Sequence, residues 1–89
     1  MCNMRPMELK DTVEMMISED YKERFKAEYC QTKIRYGKLK CMLEKWDEDI
    51  LEFTPTCPRC TFGLQISAME NYLAILEARA VMESIALPK

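Results

Sequence analysis

A stripe of mostly apolar and aromatic side chains runs along the first half of the chain at alternating steps of four and three: Phe25, Tyr29, Thr32, Tyr36, Leu39, Leu43, Trp46 and Ile50. Such spacing returns to one side of a 3.6-residue helix and forms the narrow seam of a helical hairpin or coiled coil. Just ahead of it, "SEDYKERF" reads as a helix start. Ser18 is a favoured capping residue, and Glu19 and Asp20 put negative charge where free amides and the helix dipole welcome it. The pattern predicts a first long helix over about 19–49. Gly37 costs that helix roughly 1 kcal/mol relative to Ala without breaking the periodicity. Residues 8–17 predict a short helix, too short to stand alone and therefore docked on something.

The first long helix runs into "DEDILEFTPTCP". Acid at a helix C-terminus is unfavourable, and Pro55 and Pro58 prevent simple continuation, so a connection is expected over about 50–57. Pro58 suits the first turn of a second long helix over about 58–86, capped by Thr56 or Cys57. At 1.5 Å per residue both helices reach roughly 40 Å. Matched lengths across a short connection predict an all-α, antiparallel helical hairpin with a short N-terminal helix, residues 1–89 forming one helical domain.

The second helix carries two apolar stripes. Phe62, Ile66, Met69, Leu73, Leu76 and Ala80 form one; Leu64, Ala68, Ile75, Met82 and Ala86 form another, well round the helix from the first. A single partner helix covers only one of them. The other is expected to be covered by further copies of the chain, making a homo-oligomeric helical bundle.

Composition supports helices and narrows the class. Two glycines and four prolines in 89 residues are too few for a turn-rich β fold, and 31% charged with 48% hydrophobic residues describes a folded chain rather than a disordered one. A core of this size supplies only about 3–5 kcal/mol, another reason to expect assembly. The chain has no apolar run of roughly 20 residues to span a bilayer, and its first residues lack a signal-peptide core, so a cytoplasmic location without membrane contact is expected.

Five cysteines are an odd number without secretory context, and Cys2, Cys30 and Cys41 read as free thiols behaving as small hydrophobes. Cys57-Pro58-Arg59-Cys60 has the spacing of a zinc knuckle or a redox dithiol. Zinc needs four ligands, yet the chain has no histidine and no second C-x-x-C; Cys30 and Cys41 lie about 16 Å apart along one helix. Zinc shared between copies stays open, but no metal is expected within one chain. A redox pair normally follows a strand, and none is expected. The motif reads as a helix start.

Net charge is -2, but it is unevenly spread: residues 21–45 hold eight Lys or Arg and three Glu. Lys22, Lys26, Lys33 and Lys40 form a row beside Tyr29 and Tyr36, with Arg24 and Arg35 on the other edge of the stripe. Cations interleaved with aromatics suit phosphates and stacked bases, although a solvated helix face has the same look. Gln65, Tyr72 and Arg79, seven apart, make a polar line between the two stripes of the second helix. They suit either fixing of helix register or a ligand pocket in which Arg79 holds a phosphate and Tyr72 stacks. Thr54, Thr56 and the free amides of the following helix add anion contacts. Catalytic machinery is not expected: there is no histidine, phosphate loop or nucleophile elbow, and Asp47, Glu48 and Asp49 lack companions at metal spacing. No enzyme activity and no cofactor are anticipated.

The runs "YKERFKAEYCQTKIRYGKLKCMLEKW", "FTPT" and "LQISAMENYLAILEARAVMESI" resemble a family of small helical phage proteins first labelled from crAss-like phages. The second-helix pattern is carried here by Gln65, Ala68, Met69, Tyr72, Leu76 and Arg79. In size and layout that family is similar to phage anti-CBASS sponges, which oligomerise and bury cyclic nucleotides between subunits. The resemblance implies a phage anti-defence protein in the infected bacterium, sequestering a cyclic nucleotide signal without chemistry and without binding a nucleic acid polymer. Its ligand-binding residues would be Lys26, Lys33, Arg35, Tyr36, Thr54, Thr56, Tyr72 and Arg79. The alternative is a helical interaction module that inhibits a host defence protein, as anti-CRISPR proteins do, or a phage accessory adaptor.

Overall fold

A computed structural model describes residues 7–88. The chain enters through a single turn of 3-10 helix, Leu9–Thr12, which passes directly into α1, Val13–Met16. Two long helices follow, α2 over Tyr21–Asp47 and α3 over Arg59–Met82, and the described residues contain no strand. The fold is the expected all-α antiparallel hairpin, drawn out to 43 × 23 × 21 Å. Among the described residues no helix is long and apolar enough to cross a membrane.

The capping residue of α2 falls two residues after the expected one. The Asp20 carboxylate accepts from the Lys22 amide at 3.0 Å, while Ser18 Oγ accepts from the Asp20 amide at 3.0 Å. Ser18 thus shapes the approach and Asp20 caps the helix. At the start of α3, Pro58 itself occupies the capping position, and neither Thr56 nor Cys57 supplies a side-chain cap. A bidentate pair compensates: Arg59 Nε and Nη2 donate to the two Asp47 oxygens at 3.1 and 3.0 Å, joining the end of α2 to the start of α3.

Both long helices stop the same way. Beyond α2 the Asp49 amide donates to Trp46 O and the Ile50 amide to Lys45 O; beyond α3 the Ser84 amide donates to Val81 O and the Ile85 amide to Ala80 O. Each motif places one residue in the left-handed region, Asp49 at φ 60° and Ser84 at φ 57°. That reversal ends α3 at Met82 rather than near residue 86. It also turns Ile85 inward, where it is buried.

The hairpin core holds Phe25, Tyr29, Leu73, Leu76, Ala80 and Ile85, with Tyr36 and Leu87 packed against it. Trp46 meets Phe62 edge-on, ring centroids 6.0 Å apart, near the connection. Leu76 is fully buried, so its truncation to Ala is worth about 2–5 kcal/mol. On another side of α2, Ala27, Cys30 and Ile34 are buried. There the 3-10 turn and α1 pack on α2 and make no contact with α3. Thr12, wholly buried, anchors them: its hydroxyl donates to Leu9 O at 2.7 Å and accepts from Gln31 Nε2 at 2.8 Å. Helix α2 is therefore the middle layer, with α3 on one side and the N-terminal segment on the other.

Candidate functional site

The seam between α2 and α3 is bordered by two polar edges, each repeating every seven residues. Along one edge Tyr29 donates to Glu77 at 2.8 Å and Tyr36 to Glu70 at 2.8 Å. Seven residues up α2 correspond to seven down α3, as an antiparallel register requires. Lys33 Nζ donates to the Tyr29 hydroxyl at 3.3 Å and lies 5.6 Å from that ring's centre; Lys40 sits 5.7 Å from the centre of Tyr36. Lys26, in the same row, pairs with Glu23 at 3.0 Å.

On the other edge, Tyr72 of α3 donates to Glu28 of α2. One period further, Arg79 Nη2 donates to the Tyr21 hydroxyl at 2.9 Å and its Nε to Glu83 at 3.3 Å. The guanidinium lies 4.9 Å from the centre of the Phe25 ring. Continuing the period in the opposite direction brings Arg35 and Gln65 to corresponding positions, both exposed. Arg35 makes no hydrogen bond or ion pair among the described residues.

All four tyrosines of the chain thus donate to glutamates, three of α2 to α3 or its cap and one of α3 back to α2. For Tyr29, burial first and then the Glu77 carboxylate raise its pKa above the ordinary value; for Tyr21 the bond to Glu83 is the main cause. The same carboxylate, bonded to Arg79, stabilises the charged guanidinium.

This geometry redistributes the eight residues expected to hold a ligand. Lys26, Lys33 and Tyr36 fall on the first edge, Arg35, Tyr72 and Arg79 on the second, and the exposed Thr54 and Thr56 lie in the connection. Twenty residues of α3 separate Arg59, beside that connection, from Arg79, a span of about 30 Å. Within one chain, the eight do not close a single pocket. Sequence reasoning missed the glutamates and Tyr21. A signal was present: Tyr29 and Tyr36 are seven apart, and so are Glu70 and Glu77.

Cys57 and Cys60 are exposed free thiols, and Cys30 is free and buried, its pKa raised by burial. Cys41 is disulfide-bonded, not the free thiol anticipated, and Cys2 lies outside the described residues. Among the described residues no three His, Cys, Asp or Glu side chains gather where they could hold a metal ion.

A family model described as Sequestin matches residues 19–82, from the approach to α2 through the last residue of α3. No curated protein and no solved structure matches the chain.

Proposed function

The chain belongs to the Sequestin family, and from that premise we propose that it captures a small anionic ligand and holds it without altering it. The ligand class we assign is a cyclic nucleotide or related signalling nucleotide. In this reading the protein is phage-encoded, works in the bacterial cytoplasm as a homo-oligomer, and starves a host defence system of its signal.

The observation that carries the reading is the second edge of the seam. Arg35, Gln65, Tyr72 and Arg79 are all hydrogen-bond donors at a seven-residue period, and Arg35 has no partner among the described residues. Guanidinium groups bind phosphodiesters through paired, charge-assisted bonds, and a half-exposed tyrosine ring offers a face on which a base stacks. Glu28 and Glu83 already occupy Tyr72 and Arg79. A phosphate arriving there exchanges one anion for another, which keeps the empty site from carrying unpaired charge. The lysine edge is less favourable, because its cations are ammonium point charges, which do not grip a phosphodiester through paired bonds as a guanidinium does.

Native mass spectrometry of the purified protein with a panel of cyclic di- and trinucleotides and cyclic ADP-ribose isomers tests the reading. Recovery of the unchanged nucleotide, bound in whole-number stoichiometry, is the expected result, with Arg35→Ala lowering affinity at least tenfold while leaving the helical content intact. Absence of any mass gain across the panel would overturn the nucleotide assignment in favour of a protein-binding module. Binding that is indifferent to Arg35→Ala and Tyr72→Ala would remove the second edge as the site.

A further inference from the structure

Every charged side chain of α3 is engaged at the seam or at a helix end. Arg59 holds Asp47, Glu70 receives Tyr36, Glu77 receives Tyr29, and Arg79 is bound by Tyr21 and Glu83. The opposite side of the helix is left without charge. Along it Leu64, Ala68, Asn71, Ile75, Ala78 and Met82 follow one another at alternating steps of four and three, all exposed. That is the seam spacing of a packed helix, repeated on a side that nothing among the described residues covers.

We infer that this face is a two-fold interface on which α3 of a second copy packs antiparallel. Three properties point to a second copy rather than an unrelated partner. The first is charge. In a two-fold contact, residues near the axis meet their own equivalents, so any charge there repels itself. Glu70 and Glu77 are turned to α2, and the outward residues around the middle of α3 are Ala68, Asn71, Ala74 and Ile75, none of them charged. A strongly charged partner, by contrast, would find nothing to pair with.

The second property is size. Leu64, Ile75 and Met82 are 73%, 57% and 78% exposed. Together they leave on the order of 400 Å² in water, within the roughly 300–600 Å² found for the largest patch on a monomer. Doubled by the second copy and widened by the small residues between, the contact approaches the ~1,200 Å² at which specific interfaces begin.

The third property is symmetry, and the helix dipole sets the direction. The stripe is balanced about its middle: Leu64 and Met82 are the large residues at its two ends, with Ala68 and Ala78 just inside them. An antiparallel pair lays the Leu64 end of each helix on the Met82 end of the other and brings Ala68 to Ala78, where small side chains allow close approach. It also opposes the helix dipoles favourably, which a parallel pair does not.

The inference deepens the sequestering reading by naming the face through which its homo-oligomer forms, and it is tested without ligand, so that its failure and the failure of nucleotide binding are distinguishable. Sedimentation equilibrium on the wild-type chain from 1 to 200 μM (~10⁻⁶ to 10⁻⁴ M, spanning weak to strong association) should give at least twice the 10.5 kDa chain mass. Ile75→Glu and, separately, Ala74→Glu should weaken association at least a hundredfold. Both sites are exposed, so the monomer should keep its circular dichroism spectrum; Ala74→Glu keeps a good helix former in place in case Ile75→Glu fails to fold. Ile17→Glu, on an exposed residue beyond α1, should change nothing. A wild-type monomer throughout that range, or an assembly unmoved by both α3 variants, overturns the interface. Mild oxidation that links Cys60 of one copy to Cys60 of another overturns the antiparallel direction, since that direction puts the two residues at opposite ends.

Discussion

Ser84 holds a backbone conformation that its side chain does not favour. At φ 57° the Cβ crowds the following carbonyl, a cost of about 1–2 kcal/mol that glycine does not have, partly offset by the greater freedom glycine brings to the unfolded chain. Ser84→Gly is therefore expected to stabilise the fold by about 0.5–1 kcal/mol, read as a higher urea midpoint at unchanged slope. Asp49→Gly should yield less, because Asp tolerates the left-handed region. Neither residue was legible as a helix stop, since no glycine marks the place. The capping of α2 was half legible: Ser18 and Asp20 are both good acceptors, and only the path of the chain decides that one bonds the other's amide.

At the scale of elements, the apolar stripes were readable because a single period, 3.6 residues, controls burial. The stripe of Phe62, Ile66, Met69, Leu73, Leu76 and Ala80 does face α2, with Leu73, Leu76 and Ala80 buried. The polar partners were not readable, because a tyrosine or glutamate beside a stripe looks the same whether it meets water or the neighbouring helix. The ladder makes the difference measurable. Tyr29→Phe removes a hydroxyl that donates to Glu77 and accepts from Lys33, and should cost about 0.5–1.5 kcal/mol. A double-mutant cycle with Glu77→Gln should return a coupling energy of the same sign; zero coupling would mean that the bond contributes nothing to the pairing of α2 with α3.

For the whole molecule, the antiparallel hairpin followed from two matched patterns and a proline-bearing connection, whereas the candidate site did not, because its residues divide between two edges set by the rotation of each helix. The clasp between helix ends gives a whole-molecule prediction. Arg59, donating to Asp47, holds that carboxyl below its ordinary value of 3.8. A depressed carboxyl binds fewer protons in the folded state, so its stabilisation is present above the unfolded value and fades as pH falls through the folded one. Asp47→Asn should thus lower the urea midpoint at pH 7, and the gap from wild type should close as pH falls through the depressed carboxyl value. A gap independent of pH would mean that the clasp acts through packing alone.

A ladder that repeats every seven residues carries an ambiguity of its own. Slide α3 along α2 by one period and Tyr29 meets Glu70 in place of Glu77, with apolar residues again facing apolar residues through much of the seam. Only the ends tell the two alignments apart. The Asp47–Arg59 clasp allows one offset at the connection, and Ile85, folded back beneath Ala80, allows one at the open end. The rungs supply the grip between the helices, but the information that selects their alignment resides in the few residues where each helix stops.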